Sequence, residues 1–165
     1  MSARLLFPIL AIVLGLSACS KKTVRQVSSS MEPTIKKGEY VTMDQGAYRS
    51  SLPARWDAVI FEPPKYPDQM WTFRIVGLPG ETIDITPTGV SIDGKIISRP
   101  SSIAGLGPYQ RPSGTFVPGT PMTAFPYTIP ADSYFVLGDN VSNAMDSRYW
   151  GALKRSQIRG KVWGK

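Results

Sequence analysis

Val90-Ser-Ile-Asp-Gly-Lys-Ile-Ile97 places Asp93-Gly94 between two apolar pairs. An Asp-Gly dipeptide tolerates the positive φ that a two-residue hairpin turn demands, so this stretch predicts a tight β-hairpin. Working outward, Glu81 to Thr86 alternates, with Ile83 and Ile85 on one face, and Gly77-Leu-Pro-Gly80 before it reads as a turn. Met70 to Val76 carries β-branched and aromatic residues, and Asp57 to Phe61 is a short apolar run ahead of Pro63-Pro64. Glu39 to Asp44, Ser133 to Leu137 and Ile158 to Trp163 complete the strand candidates. From Pro100 to Pro130 the chain is rich in Gly, Pro and Ser, and is expected to run as an extended, weakly structured excursion over the surface. No helical period persists over ten residues after Cys19. The expected fold is all-β, a twisted, partly closed barrel of short strands with no sizeable helix in the mature chain.

Composition narrows the chemistry. The 165 residues allow one domain of ordinary size plus a short appendage, and 42% apolar residues suffice for a core. There is no histidine, which removes Ser-His-Asp and Cys-His catalysis and His-ligated zinc. The single cysteine excludes an intramolecular disulfide and a Cys-rich metal cluster, so neither metal nor cofactor is expected. The net charge of +7 comes from scattered Lys and Arg rather than a stripe, which disfavours a nucleic-acid partner.

The N-terminus gives that cysteine a purpose. Arg4 precedes an apolar run from Leu5 to Leu16, the order of an export signal. The run is too short to cross a bilayer core as a helix and contains Pro8. Leu16-Ser-Ala-Cys19 resembles a bacterial lipobox, so residues 1–18 are expected to be a lipoprotein-type signal peptide, with Cys19 acylated and residues 19–27 a short tether. The domain proper is expected over 28–165, membrane-anchored on the exported side of a bacterial envelope.

Three further stretches form a pattern in order and spacing. They are Ser28-Ser-Ser-Met-Glu-Pro-Thr34, Phe73-Arg-Ile-Val-Gly-Leu-Pro-Gly80 and Gly138-Asp-Asn-Val-Ser-Asn-Ala-Met-Asp-Ser-Arg148. Together they resemble the type I signal peptidases, serine endopeptidases that remove signal peptides on the outer face of the bacterial membrane. The resemblance runs from about Ser28 to Trp163. It implies that Ser30 is the nucleophile and that the Ser28 hydroxyl helps to stabilise the oxyanion, with Met31 and Pro33 shaping the turn that presents them. It also implies that Asp146 and Arg148 form an ion pair that holds the loop beside the site. Ser29, Gly138, Asp139 and Asn140 read as fold residues.

The pattern breaks at one pair of positions. The family places a lysine general base immediately before the Arg of the second stretch, and here that position is Phe73. Arg74 is no substitute, because a guanidinium stays protonated. The family serine that orients the lysine corresponds to Ala144. Lys36 and Lys37 read as solvated turn residues, and Lys65, in a Pro-bounded loop, is the one speculative replacement base. Two functions therefore stay open. One is a slow peptidase of signal-peptidase type, acting on a signal peptide or other extended exported polypeptide that adds as a strand beside Phe73. The other is a pseudo-peptidase lipoprotein that binds exported peptides or a partner protein without cutting.

Overall fold

The computed structural model describes residues 20–112 and 122–164. The lipobox and Cys19 lie outside the described residues, as does the middle of the expected surface excursion. Among these residues eleven strands run in chain order: β1 (Lys21–Arg25), β2 (Tyr40–Asp44), β3 (Ala58–Phe61), β4 (Trp71–Gly77), β5 (Thr82–Thr86), β6 (Gly89–Ile92), β7 (Lys95–Ile96), β8 (Tyr127–Thr128), β9 (Ser133–Leu137), β10 (Leu153–Lys154) and β11 (Ile158–Val162). The only α-helix among the described residues is the four-residue α1 (Ser147–Trp150), with single 3-10 turns at Ser101–Ile103 and Arg155–Gln157.

The strands form two sheets, ordered β1-β2-β11-β3-β4-β9-β10 and β7-β6-β5-β8. The fold is thus mostly β, as expected. Neither sheet closes on itself, so the expected barrel is replaced by two open sheets. The Asp93-Gly94 hairpin forms, with φ of 50° and 80°, the two positive values that a type I′ turn requires. Alternation along β9 explains how one strand serves two cores. Tyr134 and Val136 enter an apolar cluster with Met31, Ile35, Phe61 and Phe73, while Phe135 and Leu137 enter a second with Val76, Ile83, Ile85 and Tyr109. Successive side chains point to opposite faces, so a strand covered on both sides reads as a continuous apolar run rather than an alternating one.

Two expectations need correction. Lys21–Arg25, read as part of a polar tether, is the edge strand β1, in antiparallel register with β2 from Lys21↔Asp44 to Arg25↔Tyr40. Strand formation there depends on the partner's backbone rather than on any apolar pattern of its own. The described parts of the Pro100–Pro130 stretch are not a loose excursion either: Ile103, Tyr109 and Ile129 are buried, and β8 extends the smaller sheet beside β5. Burial of those three apolar side chains, about 1.5–3 kcal/mol each for an aliphatic one, outweighs the turn-rich composition around them.

Candidate functional site

Ser28, Ser29 and Ser30 follow β1 on a tight turn in which Glu32 N–H donates to Ser29 O at 3.0 Å and Ile35 N–H to Met31 O at 2.9 Å. Met31 is fully buried and anchors the turn in the core, and the Glu32–Pro33 peptide bond is cis. The loop after β9 grips the turn from the other side. Asn140 donates its backbone N–H to Ser30 O at 3.0 Å and its side-chain amide to Ser29 O at 3.1 Å, while Asn143 donates to Ser29 Oγ at 2.9 Å. Ser29 is thus a structural residue, as its sequence context suggested.

Ser30 is only 8% exposed, and its Oγ lies 2.8 Å from Ser28 Oγ. Gln26, itself buried, donates to both the carbonyl and the hydroxyl oxygen of Ser28, at 3.1 and 3.3 Å. Both hydroxyls open onto a cleft of about 290 Å³. Val27, Met70, Trp71, Phe73 and Met145 supply its apolar wall, and Gln26, Gln69, Thr72 and Asn143 complete the lining with the two serines. Every one of these side chains is uncharged. No lysine reaches the wall among the described residues. Lys65 is exposed in the turn between β3 and β4 and is not among the residues that line the cleft.

Phe73 sits where its β4 register dictates, opposite Val59 of β3, and is 3% exposed. Its ring centroid lies 5.6 Å from that of Phe61 and 6.1 Å from that of Trp71. Ala144 joins the same apolar cluster. Between them runs Gly138, where an added Cβ would meet Ala144 Cβ at 2.3 Å, the Ser30 carbonyl oxygen at 2.6 Å and Phe73 Cε1 at 3.4 Å. Phe73 and Ala144 therefore flank the same glycine, and both positions are filled with hydrocarbon. A hydroxyl at position 144 without a partner would cost about 1–3 kcal/mol.

Arg74 points to the opposite face of β4. Its guanidinium donates to both oxygens of Asp139, at 2.8 and 2.6 Å, and to Trp56 O at 2.8 Å, with both ionic groups buried. This pair was not legible in the sequence, which marked Arg74 only as unfit to be a base and Asp139 only as a turn residue. An arginine inside an otherwise apolar strand was the available signal, since a charge there requires a partner.

Asp146 and Arg148 do pair. The carboxylate accepts from Arg148 Nε at 2.8 Å and Nη2 at 2.9 Å, and from Gly138 N–H at 3.0 Å. Arg148 also donates to Val141 O at 2.9 Å, which closes the loop over 138–148. Burial works against the Arg148 charge, yet the Asp146 hydrogen bonds and charge outweigh it and hold the guanidinium protonated. The pair acts as a staple.

One backbone feature bears on the strand addition expected beside Phe73. β9 pairs β4 only from Arg74 to Gly77, so Trp71, Thr72 and Phe73 have β3 on one side and, among the described residues, no strand partner on the side that β9 occupies further on. All three line the cleft. An extended peptide could hydrogen-bond there as an added strand.

The described residues thus form two open β-sheets that place a serine pair beside an uncharged cleft. A family model described as signal peptidase, peptidase S26, matches residues 2–163, and the chain belongs to that family. Signal peptidase I of Pseudomonas aeruginosa is 30% identical over 175 residues, covering 90% of this chain and 62% of that protein. A probable signal peptidase I-2 of Synechocystis sp. is 30% identical over 142 residues, covering 82% of this chain and 58% of that protein. The chain thus spans about three fifths of the length of these curated relatives. Among solved structures, a signal peptidase I from Enterococcus faecalis matches with a TM-score of 0.52 and 30% identity, over 67% of this chain and 97% of that one.

Proposed function

We propose that this chain is a lipid-anchored signal peptidase relative that holds extended segments of exported polypeptides in its cleft without Ser/Lys cleavage. The observation that carries this reading is the cleft wall: Phe73 stands at the base position among lining residues that are all uncharged. Without a base, the Ser30 hydroxyl forgoes the roughly 10²–10⁴-fold that positioned proton transfer contributes. The unpaired side of Trp71–Phe73 supplies backbone groups for the bound segment, and Val27, Met70 and Met145 supply apolar contact.

The hydroxyl pair of Ser28 and Ser30 favours a second reading, a slow serine endopeptidase with Ser30 as nucleophile and Ser28 at the oxyanion. One experiment separates the two. The full chain is incubated with a signal-peptide substrate, products are read by mass spectrometry, and peptide retention by fluorescence anisotropy. Binding without a Ser30-dependent product is expected. A product that disappears in Ser30→Ala would establish the slow peptidase, and Lys65→Ala would then test whether Lys65 folds over to serve it.

The anchor and location are part of the same proposal. Cys19 carries the lipid, residues 1–18 are removed, and the domain faces the exported side of the envelope. Intact-mass measurement of membrane-extracted protein should show the acyl additions on a chain beginning at Cys19. An unmodified thiol would remove the lipoprotein reading.

A further inference from the structure

A second concave site lies away from the serine cleft, at the end of the larger sheet where the described chain begins. Gln45, Tyr48, Arg49, Arg155 and Arg159 surround a pocket of about 180 Å³. Three guanidinium-bearing residues share this small space, and the charge is only partly compensated. Arg159 is spent, because its guanidinium takes both oxygens of Glu62 and donates to Ser156 O. Arg49 and Arg155 form no ion pair among the described residues: Arg49 is exposed and Arg155 half-buried.

Of the acidic residues nearby, Asp132 stands beside Arg155, whose backbone N–H donates to the Asp132 carbonyl at 2.8 Å, and Asp57 is already engaged. Asp57 accepts from Tyr48 Oη at 2.9 Å, from Lys161 Nζ at 2.6 Å and from Ala54 N–H at 3.1 Å. Burial, then the Asp57 charge, pushes the Tyr48 phenol far above its usual value, so it brings no negative charge to the pocket. Two unpaired guanidinium groups beside a concave surface form a cradle for a tetrahedral oxyanion, because each planar fork can donate two parallel hydrogen bonds.

The location bears on the ligand. Gln45 donates its backbone N–H to Ser20 O at 2.7 Å, so the pocket is joined to the residue that follows Cys19. Further along the same edge of the sheet, past the end of β11, Lys21 Nζ sits 3.6 Å above the ring of Trp163, which is 59% exposed. An amphipathic indole beside a cation suits the headgroup layer of a bilayer.

We infer that Arg49 and Arg155 form a phosphate-binding site, independent of the serine cleft, that takes the phosphate of an anionic lipid headgroup or of a soluble phosphate. The lipid source rests on the anchoring of Cys19, whereas the phosphate chemistry does not.

The test uses the full chain in neutral detergent and follows the midpoint of thermal unfolding, which a ligand bound only to the folded state raises. Three additions are compared: phosphatidylglycerol in the micelles, phosphatidylcholine in the micelles, and inorganic phosphate. A rise with phosphatidylglycerol but not phosphatidylcholine is expected for the lipid source, and a rise with inorganic phosphate alone identifies the soluble one. In either case Arg49→Gln/Arg155→Gln should weaken the apparent affinity roughly tenfold or more, as expected for lost hydrogen bonds to a charged group, while Lys36→Gln/Lys37→Gln should not. A flat response of the native chain to every addition would overturn the site without recourse to any variant. So would a rise that survives in the arginine double variant, or one that the lysine variant abolishes equally, since that would be general charge attraction.

Discussion

Replacing Asp139 with alanine is expected to destabilise the domain by about 3–5 kcal/mol, because it leaves the Arg74 guanidinium buried without its carboxylate. Both members of the pair are almost wholly withdrawn from water, and Arg74 keeps only the Trp56 carbonyl once Asp139 is gone. Against a typical stability of 5–15 kcal/mol, the loss is large enough to leave part of the population unfolded at 37 °C. Denaturant titration reads it directly. The companion variant Arg74→Met/Asp139→Leu should regain most of the loss, since apolar residues of similar volume replace a buried pair at little net cost. If Asp139→Ala proves no worse than a surface substitution, the pair is solvated in solution. The effect also reaches the serine turn: Asn140, next in sequence to Asp139, holds the carbonyls of Ser29 and Ser30.

What the sequence disclosed depended on whether the deciding interaction was local. Asp93-Gly94, and the alternation in Glu81–Thr86 and Glu39–Asp44, carry their structural instructions within a few residues, and the strands appear there. β1 carries none, since Lys21–Arg25 becomes a strand only through the β2 backbone. Arg74 and Asp139 lie 65 residues apart, and nothing near either one announces the other. The same holds for Tyr109, whose burial between the second apolar cluster and Arg148 follows from tertiary packing around a Gly- and Pro-rich stretch. In the site, the serine turn and the Asp146–Arg148 staple were legible as motif positions. Strand addition beside Phe73 was expected, but the extent of the unpaired side, Trp71–Phe73, was not legible, because it depends on where β9 stops.

Rebuilding the family's base with Phe73→Lys/Ala144→Ser should raise cleavage of a signal-peptide substrate by about 10²–10⁴-fold over the native chain. The register of β4 directs side chain 73 into the cleft that Ser30 shares, and position 144 lies across Gly138 from it. An amine in that apolar wall would be poorly solvated, which lowers its pKa from the usual value near 10.4 and makes the neutral, proton-accepting form available. Activity should therefore rise with pH through the depressed pKa of the new lysine, and Ser30→Ala in the same background should abolish it. Phe73→Lys alone should gain less, since its amine would lack the hydroxyl that aims it. The exchange also costs stability. The ring contacts with Phe61 and Trp71 are lost, although the lysine stem recovers part of the packing. A Phe→Ala truncation costs about 3–5 kcal/mol, which sets an upper bound on the loss, so the thermal midpoint is measured alongside the kinetics. Silence from a folded double variant would mean that side chain 73 and Ser30 Oγ are no longer within proton-transfer distance. The cleft would then have been reshaped for holding peptides, and the loss of the lysine would be one consequence of that change rather than its cause.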